Sequence, residues 1–69
     1  MLIHINGDAR EVKEATTLSE LIDILSLKAE QLAIELNQQV VRRAQWDTTM
    51  LQANDKVEIV HFVGGGWNK

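Results

Sequence analysis

The chain contains no cysteine, which removes a disulfide framework, a thiolate nucleophile and every cysteine-based metal site from consideration. Basic residues are few as well. Seven Lys and Arg stand against ten Asp and Glu, a net charge of −3, with a pI near 5.2. Apart from Arg42-Arg43 the cations are scattered. No basic stripe exists to neutralise phosphates, and DNA or RNA is not an expected partner. An acidic surface suits docking on a basic one. No apolar run approaches the roughly 18 to 20 residues that cross a bilayer, and no basic cluster precedes an apolar stretch near Met1. The expected location is therefore cytoplasmic, with no membrane partner. Glycine is scarce and unevenly placed: three of the four glycines form the run Gly64-Gly65-Gly66.

What is present describes one small folded domain. Sixty-nine residues, 45% hydrophobic and 25% charged, hold a single core with little stability to spare. Leu2-Ile3-His4-Ile5 runs into Asn6-Gly7-Asp8, a hairpin signal because Asn and Gly both tolerate positive φ. Ala9 to Val12 supplies the returning strand. Thr17-Leu18-Ser19-Glu20 reads as a capping box. Leu18, Leu21, Ile22 and Leu25 then fall at the spacing that lines one helix face, leaving Ser19, Glu20 and Asp23 to water. Leu32, Ile34 and Leu36 alternate with Ala33 and Glu35 as in a half-buried strand. Asn37-Gln38-Gln39 makes a turn, and Val40-Val41 begins a short partner strand. Arg43 to Thr49 has no clean period and predicts a turn or short 3₁₀ segment, with Trp46 closing one end of the core. Asn54-Asp55 marks a turn before a last strand over 56–63. Its two faces, Val57, Ile59, His61 and Val63 against Glu58, Val60 and Phe62, are both partly apolar. Such a strand is central in its sheet or covered by a partner.

The elements run ββαββ, two hairpin-like units around one helix, with the last strand beside the first. This is an α+β ubiquitin-like β-grasp, a mixed sheet packed on one helix through Ile3, Ile5, Leu32, Ile34, Val57 and Ile59. Residues 1–63 form the domain and 64–69 a flexible glycine tail. No repeat interrupts it.

Independent catalysis finds no support. Two histidines, His4 and His61, without helical spacing or cysteine do not make a metal site, and both suit sheet faces. Arg42-Arg43 reads as a solvated turn. Glu11, Glu14, Glu20, Glu30, Glu35 and Glu58 are not spaced to share a pocket. Gly64-Gly65-Gly66 precedes no helix and so does not cradle phosphate. The chain is expected to be a substrate of enzymes rather than an enzyme, with no cofactor of its own.

The run Val57-Glu58-Ile59-Val60-His61-Phe62-Val63-Gly64-Gly65-Gly66 resembles the end of the ThiS/MoaD family of sulfur carriers, and its thiamine branch above all. Met1 to Gly7, Ala33-Ile34-Glu35-Leu36-Asn37 and Val40 to Trp46 extend the resemblance over nearly the whole chain. Arg42 stands where the family often has proline, and Asn54 where it often has glycine. The resemblance implies that an E1-like adenylyltransferase activates a terminal glycine carboxylate with ATP. A cysteine desulfurase relay then supplies sulfur, and thiazole synthase consumes it. On this chain the reacting residue would be Gly66, with Gly64 and Gly65 threading into the enzyme and Val60, Phe62 and Val63 docking on it. Lacking cysteine, the protein would carry sulfur only on that carboxyl group. The chain continues through Trp67-Asn68-Lys69, so Gly66 becomes reactive only after a maturing protease removes them. Two other readings stay open: a non-carrier β-grasp adaptor that keeps Lys69, and a carrier serving molybdopterin, amino-acid or natural-product synthesis.

Overall fold

The computed structural model describes residues 1–61. Strands β1, Leu2–Ile5, and β2, Asp8–Glu11, form an antiparallel hairpin with Leu2 opposite Glu11 and Ile5 opposite Asp8. Asn6 and Gly7 close it at φ 49° and 88°. Positive φ at both central residues matches the right-handed twist of the flanking strands. The returning strand begins and ends one residue earlier than expected: Asp8 joins it, and Val12 leaves it and turns into the core.

The capping box forms as predicted. The Thr17 hydroxyl accepts from the N–H of Glu20 at 3.1 Å, and the Thr17 N–H donates to Glu20 Oε1 at 2.9 Å. The helix α1 then runs Leu18–Ile24, burying Leu18, Leu21 and Ile22. Leu25 departs from the expected stripe. It is the C-terminal cap, with the chain reversing at Ser26, φ 58°, and it packs half-buried on the core's edge. Ser19 departs too. Rather than facing water alone, its hydroxyl donates to Asp47 Oδ1, tying α1 to the 3₁₀ helix Arg43–Thr48.

A 3₁₀ turn at Ala29–Gln31, which the sequence pattern did not announce, leads into β3, Leu32–Leu36. Asn37 and Gln38, at φ 52° and 72°, make a second turn with positive φ at both residues. Strand β4 is Gln39–Val41 and β5 is Lys56–His61. With the short β4 counted as a strand, the order is ββαβββ.

The sheet order is β2-β1-β5-β3-β4. Strand β5 lies parallel to β1, with Ile5 beside Val57, and antiparallel to β3, with Leu32 opposite His61. A parallel pair needs a long crossover, and everything from β2 to β4 supplies it. A mixed sheet with one helix crossing one face is the β-grasp fold.

The core lies between α1 and the sheet's inner face: Ile3, Leu18, Leu21, Ile34 and Val57 are fully buried. Leu32 and Ile59 complete the expected set, while Ile5 is half-buried at its margin. Trp46 closes one end as anticipated, its indole N–H donating to the Val41 carbonyl at 2.9 Å. Leu51 is the addition that the pattern missed. It sits in the linker before β5, held by its N–H to the Thr16 carbonyl at 2.8 Å.

Candidate functional site

The strand that leads to the glycine run is the middle strand of the sheet, and both of its edges are held. Backbone ladders to β1 and β3 do part of this. Two asparagine side chains do the rest. Asn6 Oδ1 accepts from the N–H of Ile59 at 2.7 Å, and its Nδ2 donates to the Ile59 carbonyl at 3.2 Å. On the other side Asn37 Oδ1 accepts from the N–H of Lys56 at 3.0 Å, and its Nδ2 donates to Asp55 Oδ1 at 3.0 Å. Asp55 is buried, and its other oxygen accepts from the N–H of Gln52 at 2.7 Å. A buried carboxylate must have such partners. Sequence reasoning gave Asn6 and Asn37 turn roles only. In the structure each holds a positive-φ turn and clasps β5 as well, and the one available signal was an amide side chain at the turn rather than a second glycine.

Along β5 the pleat sends Val57 and Ile59 into the core and Lys56, Glu58 and Val60 to the opposite face. Val60, expected at a docking surface, is 50% exposed there, beside the half-buried Ala33 of β3. Val40 on β4 is 72% exposed and lies across from Glu35, which in turn faces Glu58 across the β3–β5 pair. Like charges directly opposite one another destabilise a sheet, and among the described residues neither glutamate is ion-paired to a cation. The outer face of the sheet thus offers the exposed Val40 and Val60 with the adjacent carboxylates Glu35 and Glu58, and Lys56 at the start of β5. Such a face complements a partner that is apolar with basic groups at its rim.

His61 points along the Val57–Ile59 row but is exposed at the sheet's end, and His4 is half-buried on the outer face. Arg42 and Arg43 are exposed. Among the described residues no three His, Asp or Glu side chains converge to hold a metal. No helix there is long and apolar enough to cross a membrane. A depression of about 780 Å³ lies beside α1 and is lined by Glu11, Val12, Glu14, Glu20 and Ile24 among others. No histidine lines it, and its Thr16 hydroxyl is already committed to the Lys13 carbonyl at 2.7 Å. Phe62, Val63, Gly64, Gly65 and Gly66, with Trp67, Asn68 and Lys69, lie outside the described residues.

Arg42 adopts φ −66° and ψ 144°, the backbone that proline would impose, and Asn54 adopts φ 70°, where glycine is at ease. Neither residue is on the outer-face patch.

Comparison with known proteins agrees with this geometry. A thiazole synthase of Magnetococcus marinus is 41% identical over 66 residues, which are 96% of this chain but only 20% of that protein. The sulfur carrier protein ThiS of Bacillus subtilis is 30% identical over 66 residues, covering 94% of this chain and 100% of its own length. The crystal structure of the thiamine biosynthesis protein ThiS from Geobacter metallireducens superposes with a TM-score of 0.84 at 35% identity, covering 96% of this chain and 100% of that one. The sequence profile of the ThiS family matches residues 3–66, from the first core residue of β1 to the last of the three glycines, and the chain belongs to the ThiS family.

Proposed function

We propose that this protein is a sulfur carrier of thiazole formation in thiamine biosynthesis, acting in the cytoplasm, and that its reactive group is the carboxylate of Gly66. The observation that carries the reading is where the family match stops: it ends at Gly66, leaving Trp67, Asn68 and Lys69 beyond it. In this reading the domain spans 1–63 and the tail 64–69, and Val60, exposed on the outer face one residue before His61, lies at the end of β5 that leads to the tail.

The chemistry divides between the carrier and its partners. A carboxylate oxygen of Gly66 attacks the α-phosphorus of ATP in an E1-like adenylyltransferase, and pyrophosphate leaves. A persulfide from a cysteine desulfurase relay attacks the acyl carbon, forming the C–S bond as AMP departs. A partner's thiol then attacks the relay-side sulfur of the acyl disulfide, forming a disulfide with the relay and releasing the thiocarboxylate. Thiazole synthase then consumes the thiocarboxylate. In the Magnetococcus thiazole synthase the segment like this chain occupies a fifth of the protein, which supports that enzyme class as the acceptor. The carrier itself is not an enzyme. Gly64 and Gly65 serve by lacking side chains beside the reacting carbon, and Val60, with Phe62 and Val63, docks the domain on the adenylating enzyme. Removal of Trp67-Asn68-Lys69 by a maturing protease frees the carboxylate.

The test uses the chain truncated after Gly66, mixed with ATP, a sulfur donor and a ThiF-like adenylating enzyme. A mass gain equal to exchanging one oxygen for sulfur, confined to the terminal peptide, is expected. Replacement of Gly65 by a bulky residue should abolish it with the fold intact. Sulfur found on an internal residue refutes the carrier assignment. Pyrophosphate released by the full-length chain, with no protease present, refutes the need for trimming.

A further inference from the structure

Asn6 is followed by Gly7, the residue whose backbone nitrogen is least hindered from attacking the side-chain amide before it. That same amide is the clasp on β5. Strand β1 ends at Ile5, and its parallel register with β5 contains two residue pairs, His4 with Lys56 and Ile5 with Val57. The N–H of Asn6 donates to the Val57 carbonyl at 2.8 Å. Beyond that the backbone turns away, and the Asn6 side chain continues the ladder, accepting from the Ile59 N–H and donating to the Ile59 carbonyl.

We propose that Asn6 is a deamidation site that the fold protects, and that its conversion loosens the end of β5. In the reaction the Gly7 nitrogen attacks Asn6 Cγ and loses its proton. The new N–Cγ bond forms as the Cγ–Nδ2 bond breaks, and ammonia leaves. Water then opens the cyclic imide at one of its two carbonyls, giving an aspartyl or an isoaspartyl linkage at position 6. The folded chain opposes the attack because both amide atoms are engaged by Ile59 and the turn is fixed at φ 49° and 88°. The amide must first let go of β5.

Conversion then removes the clasp. A carboxylate still accepts from the Ile59 N–H, but its second oxygen faces the Ile59 carbonyl across the 3.2 Å that the N–H···O bond had spanned. Two acceptors without a proton between them repel, and a partner left unsatisfied costs more than the lost bond. The isoaspartyl product also adds a backbone atom to a two-residue turn, which no longer suits the β1–β2 register. Both products act at Ile59, one residue before Val60. The consequence for sulfur transfer rests on the carrier reading. The chemistry at position 6 does not, and the experiment reads only that chemistry and its local effect.

The full chain is incubated in mildly alkaline buffer with and without denaturing urea, and the peptide containing Asn6 is followed by mass and by isoaspartyl-specific assay. Conversion is expected at least about tenfold faster in urea, the factor that ~1.4 kcal/mol of local opening accounts for. Asn37 and Asn54, followed by Gln38 and Asp55, should lag behind. Equal rates at Asn6 in native and denatured protein overturn the protection. In Asn6→Asp, deuterium exchange at the Ile59 amide should rise at least about tenfold while Leu21 stays protected. Unchanged exchange at Ile59 overturns the loosening.

Discussion

Truncating Leu21 to alanine separates the helix face that the structure assigns to the core from the broader stripe in the sequence. Leu21 is fully buried, between α1 and the sheet, whereas Leu25 caps the helix and is half-buried. Leu21→Ala removes three buried carbon atoms and leaves a cavity, at a cost of about 2–5 kcal/mol. A chain of this length has a total stability of roughly 3–10 kcal/mol, so the variant sits near the edge of folding. Leu25→Ala removes the same atoms from a site where water already reaches some of them and the neighbours can relax, and should cost about 1 kcal/mol. Urea titration followed by circular dichroism measures both. At a slope near 1 kcal/mol per molar, expected for so small a chain, Leu21→Ala lowers the midpoint by at least about 2 M and Leu25→Ala by about 1 M. Equal shifts in the two variants would refute the helix end at Ile24, and a negligible shift in Leu21→Ala would refute the packing of α1 itself.

Other perturbations probe single features. Thr17→Ala deletes the hydroxyl that accepts from Glu20 and should cost about 1 kcal/mol, lowering Tm by roughly 4–8 °C in a domain of this size. Arg42→Pro should instead raise stability by about 0.4–1 kcal/mol, because the native backbone at φ −66° already suits proline and the unfolded chain loses freedom; a fall in Tm would show that the Arg42 N–H has a partner. Val60→Asp, on the exposed outer face, should change stability by less than about 1 kcal/mol yet slow pyrophosphate release by the adenylating enzyme at least about tenfold, an effect of the size seen at interface hot spots. An unaltered rate would remove Val60 from the docking surface.

Where a local pattern and a local cause coincide, the fold was legible. The Thr17–Glu20 box and the Leu18–Leu21–Ile22 spacing specify α1 because capping and burial both act within two turns. The alternation in β3 likewise reveals its buried face, whereas the pattern of β5 left two readings open, a central strand or a covered one, and its pairing with β1 and β3 decides for the first. What escaped were causes distant in sequence. Leu51 is buried because its linker is drawn against Thr16, and Ser19 is partnered because the 3₁₀ helix brings Asp47 to it. The asparagine clasps reach 53 residues for Asn6 and 19 for the Asn37–Lys56 bond, and nothing within a turn signal encodes such a reach. The period of two puts Val60 on the face opposite Val57 and Ile59, and in the structure that face is the exposed one. The facing pair Glu35 and Glu58 needed the register between β3 and β5, which periodicity does not provide.

The central placement of β5 has a mechanical meaning. An enzyme that draws the residues after His61 into its cleft pulls along the strand axis, at right angles to the hydrogen bonds that tie β5 to β1 and β3. Load applied in that direction is shared by the bonds on both flanks at once, so they resist in shear. A hairpin edge strand pulled away from its neighbour would yield one bond at a time. The domain can therefore act as a rigid handle, transmitting a partner's grip to the chain end without surrendering its own sheet.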